Sequence, residues 1–301
     1  MYRFLFATLG LMLIGISVYI YFIFTELEGN RADGSSMQMV DDTNESTSAP
    51  QYTLRPSIFR GYYLTSSTHF SFSIHESAKE HLSHIERVLE DAYMRLSPLF
   101  GVTFDRRVRV FIHQDYESFN RALGIRVPDE FAPYHVAGVF RSQGIRAGIH
   151  MTPPNQYVLG FSYEKGLVHE LIHALANEIT PSQHLDSKNL FWLIEGLATY
   201  KADMMDFEAF QSILITSVRN NTIPSLNDLE AFNCFDQFLE VFHSNRGYIY
   251  GASIIAFINA TYGFDKVLEL YRNPNDYMGV FGFDRNEFER QWRQFLVQNY
   301  G

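Results

Sequence analysis

Residues 166–175 read GLVHELIHAL, and residues 191–200 read FWLIEGLATY. In the first stretch His169 and His173 are four positions apart, so on a helix both imidazoles project from one face. Two imidazoles at this spacing can bind one zinc ion, and Glu170 is placed to accept a proton from a water molecule. The neighbouring residues are apolar, which predicts a buried helix. Two histidines and a glutamate need partners there, and a metal supplies them.

The second stretch supplies a candidate for the third ligand of this zinc. A catalytic zinc ion takes three protein ligands and keeps one position open. Glu195 is the single carboxylate of an otherwise apolar segment with helical character, so it is predicted to be a buried charge that needs a cation. The sequence therefore predicts one Zn²⁺ per chain, bound by His169, His173 and Glu195, with Glu170 as the general base.

These two segments resemble those of the gluzincin zinc metallopeptidases, and more closely those of the peptidase MA-like domain family. Members of that family carry a Trp-Leu-x-Glu-Gly-Leu-Ala segment after the zinc helix, as residues 192–198 do here. Residues 250–263, YGASIIAFINATYG, and residues 288–300 resemble the later helices of these domains more weakly. The resemblance covers residues 136 to 301. It implies a zincin-like fold and hydrolysis of peptide bonds.

The resemblance also implies further site residues and narrows the activity. A tyrosine of the later helix is expected to stabilise the oxyanion, with Tyr250 as the first choice and Tyr248 as the second. Ala176 and Ile179 stand where the metzincin pattern needs Gly and His, which excludes that branch. Residues 146–152 lack the acid with which aminopeptidases hold a free amine, which favours an endopeptidase. Thr199 stands where related domains often have an acid that orients a zinc-bound imidazole.

Composition and charge exclude several other classes of protein. The chain has 301 residues, of which 46% are hydrophobic and 19% charged, and this rules out a collagen-like, coiled-coil or mostly disordered protein. Its 24 Lys and Arg against 34 Asp and Glu give a net charge of −10, which argues against nucleic acid as a partner. The single cysteine, Cys234, excludes an intramolecular disulfide and a Cys-rich metal site.

The amino-terminal region is predicted to anchor the chain in a membrane. Residues 4–25 contain no charged residue and no histidine, and they are long enough to span a bilayer as a helix. We therefore expect a transmembrane signal anchor at residues 1–25; a cleaved leader, and hence a secreted protein, is the alternative. Arg3 before the run and acids after it predict a cytoplasmic amino terminus and an extracytoplasmic catalytic domain. The polar residues 26–52 are predicted to form a flexible linker.

The body, residues 53–301, is predicted to have an α+β fold. A mixed sheet and the zinc helix form an α/β lobe to about residue 180, and a mostly helical lobe follows. Strands are expected at residues 69–74 and 108–112, a helix after the capping box at residues 77–80, and a hairpin from residues 136–140 and 145–151. The uncharged residues 247–264 are predicted to be a buried helix rather than a second membrane span.

The hairpin is also predicted to line the cleft in which a peptide substrate would bind. Residues 145–151 are expected to lie along it, where they can pair with an extended peptide by strand addition. His150 on this strand is a candidate for substrate contact. His81 and His84, three positions apart on the first helix, have no third ligand nearby in the sequence and are predicted to lie on a solvated face.

The favoured interpretation is thus a membrane-anchored zinc metallopeptidase, an endopeptidase acting on peptide or protein substrates. A second hypothesis is a catalytically inactive, zinc-stabilised binding or scaffold module at the membrane. The presence of Glu170 argues against it, because a scaffold does not require a general base. A third is a plain structural anchor whose histidines belong to the core.

Overall fold

The structure, a computed structural model, describes residues 57–59, 61–124, 138–144, 147–157, 162–181, 190–231 and 241–301. The side chains of residues 57–59 and 241–246 are not described. The predicted anchor at residues 1–25 and the predicted linker at residues 26–52 both lie outside the described residues. No helix in the described part of the chain combines the length and the apolar character needed to span a bilayer.

The amino-terminal part of the body is built on one mixed sheet of six described strands in the order β1-β2-β3-β4-β6-β5. Strands β3, β4 and β6 run parallel to one another, and the remaining pairs are antiparallel. The bounds are Ser57–Phe59 (β1), Tyr62–Ser66 (β2), Phe70–His75 (β3), Val108–Ile112 (β4), Gly138–Arg141 (β5) and Gly148–Met151 (β6). β5 and β6 form the predicted antiparallel hairpin, and the two other predicted strands are confirmed as β3 and β4.

One face of this sheet is apolar because alternate residues of its strands point to the same side. Phe70, Phe72 and Ile74 of β3 are buried, as are Val110 and Ile112 of β4. Helices α1 (Leu82–Phe100) and α3 (Tyr163–Ile179) contact each other, α1 contacts β3, and α3 contacts β5 and β6. The sheet and α3, which carries His169, Glu170 and His173, therefore share one hydrophobic core.

The first helix begins later than the sequence pattern predicts. The capping box expected at residues 77–80 is not formed: the imidazole of His75 accepts the N–H of Ser77, and Glu76–His81 is a 3-10 helix. The α-helix starts only at Leu82, and its stripe of Ile85, Leu89 and other apolar residues is buried as predicted. A histidine side chain thus replaced the serine cap, which short-range propensity does not reveal.

After β6, every longer regular element in the described residues is helical. The short helix Tyr116–Leu123 (α2) lies between β4 and β5. The helices that follow α3 are Phe191–Lys201 (α4), Glu208–Arg219 (α5), Leu226–Glu230 (α6), Val241–Tyr262 (α7), Phe264–Arg272 (α8), Tyr277–Phe281 (α9) and Arg285–Tyr300 (α10). The chain therefore has the predicted α+β character, with a mostly helical carboxy-terminal part.

Helix α7 is a buried core helix, as predicted for residues 247–264. Ile254, Ile255 and Ile258 are fully buried. α7 crosses α4 at two glycines: a Cβ on Gly196 would lie 2.3 Å from the carbonyl carbon of Gly251, and a Cβ on Gly251 would lie 2.1 Å from the carbonyl oxygen of Trp192. The two backbones therefore touch directly, next to Glu195.

Candidate metal centre

Helix α3 places two imidazoles and a carboxyl group in the core. It begins at Tyr163, where the side chain of Ser162 accepts the N–H of Lys165, a favourable cap. His169 and Glu170 are each 5% exposed, and the side chain of His173 is 13% exposed. Because His169 and His173 are one turn apart, their side chains meet on one face.

Helix α4 brings Glu195 to the same point. The Nε2 atoms of His169 and His173 are 3.1 Å apart. Glu195 Oε2 lies 3.1 Å from His169 Nε2 and 3.4 Å from His173 Nε2. Among the described residues these three form a group whose ligand atoms all lie within 4.8 Å of one another. The three residues that the sequence nominated as ligands are thus brought together by two helices.

The donor set and its spacing fit a zinc ion. Zinc is bound at about 2.0–2.2 Å by histidine nitrogen and carboxylate oxygen, so neighbouring donors of a tetrahedral site lie about 3.3 Å apart. The observed separations of 3.1, 3.1 and 3.4 Å match that value. Two nitrogens and one oxygen also leave the open fourth position that catalytic sites have. His169, His173 and Glu195 would therefore hold zinc without rearrangement.

The electrostatics of this cluster favour a cation. Burial by itself would raise the pKa of Glu195, but the charge of His173 and hydrogen bonds with both imidazoles lower that pKa to about 2. Burial lowers the pKa of His169, which keeps its imidazole neutral at pH 7. The carboxylate of Glu195 and the neutral imidazole of His169 are thus in the protonation states that metal binding requires.

Glu170 is not one of the three converging residues, and its side chain lies against Gly138 of strand β5. Burial raises the pKa of Glu170 to about 7, and the carboxylate of Glu195 adds to this effect. The charge of His173 and a hydrogen bond from the backbone N–H of Phe140 act in the opposite direction. A carboxyl group with a pKa close to 7 suits proton transfer at neutral pH.

The two candidate tyrosines occupy different environments on α7. The hydroxyl of Tyr250 forms a 2.5 Å hydrogen bond with the hydroxyl of Ser217 on α5. The ring of Tyr248 stacks on that of His169, with centroids 6.1 Å apart, and meets the edge of Phe191. Residues two apart on a helix point to nearly opposite sides, so only one of the two can face the cluster. The structure places Tyr248, the second choice, beside the candidate ligands.

Thr199 does not hold the candidate ligand histidine by a direct hydrogen bond. It is fully buried one turn after Glu195, and its hydroxyl has no hydrogen-bond partner among the described residues. The same is true of Nδ1 of His169. The orienting contact that an acid provides in related domains is therefore not reproduced by this threonine.

The predicted strand addition is wrong for residues 148–151, and residues 145 and 146 lie outside the described residues. Residues 148–151 form β6, which pairs with β4 on one side and β5 on the other, so its backbone groups are already used. On this side of the described sheet the edge strand is β5, and on the opposite side it is β1. His150 is 1% exposed, and its Nδ1 lies 3.0 Å from Nε2 of the buried His113, which makes it part of the interior.

The two surface histidines of the first segment lie away from the cluster. His84 binds Glu164 with 2.7 Å between Nε2 and Oε1, and both side chains are 43% exposed. The nearest carboxylate to His81 is that of Glu80, 3.5 Å away. Neither forms a group of three potential ligands within the described ranges.

The geometry agrees with a comparison to known protein families. A family model described as the Peptidase MA superfamily matches residues 89–298. This range contains His169, Glu170, His173 and Glu195. No curated protein matches the chain. Because the matched range covers more than half of the sequence, the chain belongs to the Peptidase MA superfamily.

Proposed function

We propose that the protein is a zinc-dependent metallopeptidase of the gluzincin type, with the sequence pattern HExxH followed by a glutamate ligand. One observation carries the proposal: the ligand atoms of His169, His173 and Glu195 converge at the spacing of a zinc site, and Glu170 follows the first ligand directly. Membership of the Peptidase MA superfamily supports a peptidase in particular.

The proposed reaction assigns a separate role to the metal site and to Glu170. When bound, zinc would supply a Lewis acid that polarises the scissile carbonyl and makes a water molecule more acidic. The carboxylate of Glu170 accepts the proton of the attacking water and then passes it to the leaving nitrogen. The N–H of Phe140 donates a hydrogen bond to that carboxyl group and holds it against strand β5.

Tyr248 is the side chain that we propose as the donor to the oxyanion. Its ring rests on His169, whereas the hydroxyl of Tyr250 is engaged by Ser217. We expect Tyr248→Phe to lower kcat by on the order of 10²-fold, as loss of one oxyanion donor does in other enzymes. Tyr250→Phe is expected to lower stability by about 1 kcal/mol through the lost hydrogen bond, with a smaller effect on kcat.

Steady-state kinetics and thermal unfolding of the two variants, each loaded with zinc, measure these effects. Both variants should retain as much zinc as the wild type. A greater loss of kcat in Tyr250→Phe than in Tyr248→Phe would reverse the assignment.

The proposed function is tested by mapping cleavage in a mixture of unrelated peptides. We expect the zinc-loaded protein to generate new termini, and a chelator to stop their appearance until zinc is restored. New termini inside the peptides support an endopeptidase, while removal of terminal residues alone would contradict that part of the proposal. If the metal-loaded protein cleaves nothing, the zinc-stabilised binding module becomes the better account.

We also propose that the protein is anchored in a membrane by residues 1–25. The uncharged residues 4–25, preceded by Arg3 and followed by acids, support a cytoplasmic amino terminus and an extracytoplasmic catalytic domain. Membrane fractionation of the full chain and of a chain without residues 1–25 tests this proposal. Recovery of the full chain in the soluble fraction would contradict it.

A further inference from the structure

Gly138 is a glycine that the local backbone conformation does not require. It opens strand β5 opposite Met151, and it is absent from the described glycines that have a positive φ. Glycine weakens a strand because it contributes no side chain and loses more entropy on folding than other residues. A glycine without a conformational reason in a strand marks a close approach of another group.

Two side chains approach Gly138 closely, those of Glu170 and Met151. A Cβ added to Gly138 would lie 2.9 Å from Cγ and 3.0 Å from Oε1 of Glu170. It would also lie 2.5 Å from Sδ of Met151. Met151 and Glu170 are both buried, so a methyl group at position 138 would collide with each of them, although the unbranched thioether side chain of Met151 can adapt its torsions more easily.

A second contact fixes the same carboxyl group two residues further along β5. The backbone N–H of Phe140 donates a hydrogen bond to Glu170. In an antiparallel pair, the backbone groups of alternate residues point to the same edge of the strand. Gly138 therefore leaves space for Glu170 on the face where its side chain would stand, and Phe140, two residues on, donates a hydrogen bond to the same carboxyl group from the edge of β5.

We propose that Gly138 is a positioning residue for Glu170, and that β5 rather than α3 alone determines where the carboxylate stands. The helix fixes the Cα of Glu170 next to the candidate ligand His169. The side chain still has free torsions, and β5 removes that freedom by accepting the side chain over Gly138 and binding it through Phe140. The role in catalysis rests on the proposed peptidase function; the contact itself does not.

A double-mutant cycle measured by thermal unfolding tests the contact without reference to hydrolysis. The full chain, supplied with zinc, is compared as wild type, Gly138→Ala, Glu170→Ala and the double variant. If the added methyl group collides with Glu170, truncating Glu170 relieves the collision. The fall in Tm caused by Gly138→Ala should then be smaller in the Glu170→Ala background, by roughly 2 °C or more.

Gly247→Ala is the matched control for this cycle. A Cβ at Gly247 would lie 2.7 Å from two ring carbons of Phe191, a comparable collision that does not involve Glu170. Its effect on Tm should be the same in both backgrounds. Equal effects of Gly138→Ala in both backgrounds would overturn the proposal. So would full recovery of Tm when Met151→Ala is added to Gly138→Ala, because the collision would then be with Met151.

Kinetics separate the positioning role from simple packing. We expect Gly138→Ala to lower kcat by on the order of 10²-fold, with KM and the zinc content per chain nearly unchanged, because a displaced base affects the transition state most. Unchanged kcat in Gly138→Ala would overturn the positioning role while leaving the peptidase proposal intact. Coupling in the cycle combined with a wild type that hydrolyses nothing would overturn the peptidase proposal and leave the contact standing.

Discussion

Glu170→Gln is expected to reduce peptide hydrolysis by on the order of 10²–10⁴-fold while the zinc content stays at the wild-type level. Glutamine has the same size as glutamate and can still accept the N–H of Phe140 through its amide oxygen, so the site should keep its shape. It cannot accept the proton of the attacking water. Because Glu170 is buried, bulk water cannot easily take over its role as the base.

The measurement is kcat/KM on a peptide cleaved by the wild type, together with metal analysis of both proteins. Glu178→Gln is the matched control, since Glu178 lies on the same helix but is exposed to solvent. It should behave as the wild type does. An active Glu170→Gln protein would show that proton transfer is carried by another group and would remove the general-base assignment.

His173→Ala is expected to abolish zinc binding at micromolar metal and, with it, all detectable hydrolysis. The substitution leaves only His169 and Glu195 to bind the ion, and two protein ligands are too few for a catalytic zinc site. Metal binding to the folded state also stabilises it, by about 4 kcal/mol when free zinc exceeds Kd a thousandfold. A chelator should therefore lower the Tm of the wild type and leave that of His173→Ala unchanged.

Metal analysis and thermal unfolding with and without a chelator provide the measurement. His84→Ala is the control, because His84 binds Glu164 on the surface and touches no candidate ligand. It should retain zinc and respond to the chelator as the wild type does. A His173→Ala protein that keeps one zinc per chain would contradict the proposed ligand set.

The metal cluster could be predicted from sequence because two local rules determine most of it. Helix geometry alone puts His169 and His173 on one face. Glu195 was found because a lone carboxylate in an apolar helical segment needs a partner of opposite charge. Neither argument requires the path of the chain between α3 and α4, and so the prediction did not depend on the tertiary fold.

The surroundings of Glu170 could not be predicted in the same way. The sequence indicated a hairpin at residues 136–151, but not which of its strands lies outermost. That order depends on the parallel pairing of β6 with β4, a contact between distant segments that leaves no local pattern. The role of Gly138 follows from this order alone. A glycine at the start of a strand is an ambiguous signal until its neighbour is known.

The choice between the two tyrosines was open for a related reason. Both lie in an apolar helix without a polar face, so periodicity does not say which side of α7 meets α3. The packing of α7 against α4 decides the rotation of the helix. That rotation places the hydroxyl of Tyr250 next to the buried hydroxyl of Ser217, with which it forms a hydrogen bond.

The direct backbone contact between Gly196 and Gly251 has a mechanical consequence. Helices whose backbones touch have no side chains at the crossing that can re-pack, so α4 and α7 can neither slide nor rotate there independently. Glu195 on α4 and Tyr248 on α7 are therefore expected to move together, as parts of one rigid unit. Any change in the distance between Glu195 and His169 therefore has to come from displacement of α3 relative to α4 and α7, and a bound ion would resist that displacement by tying the two sides together.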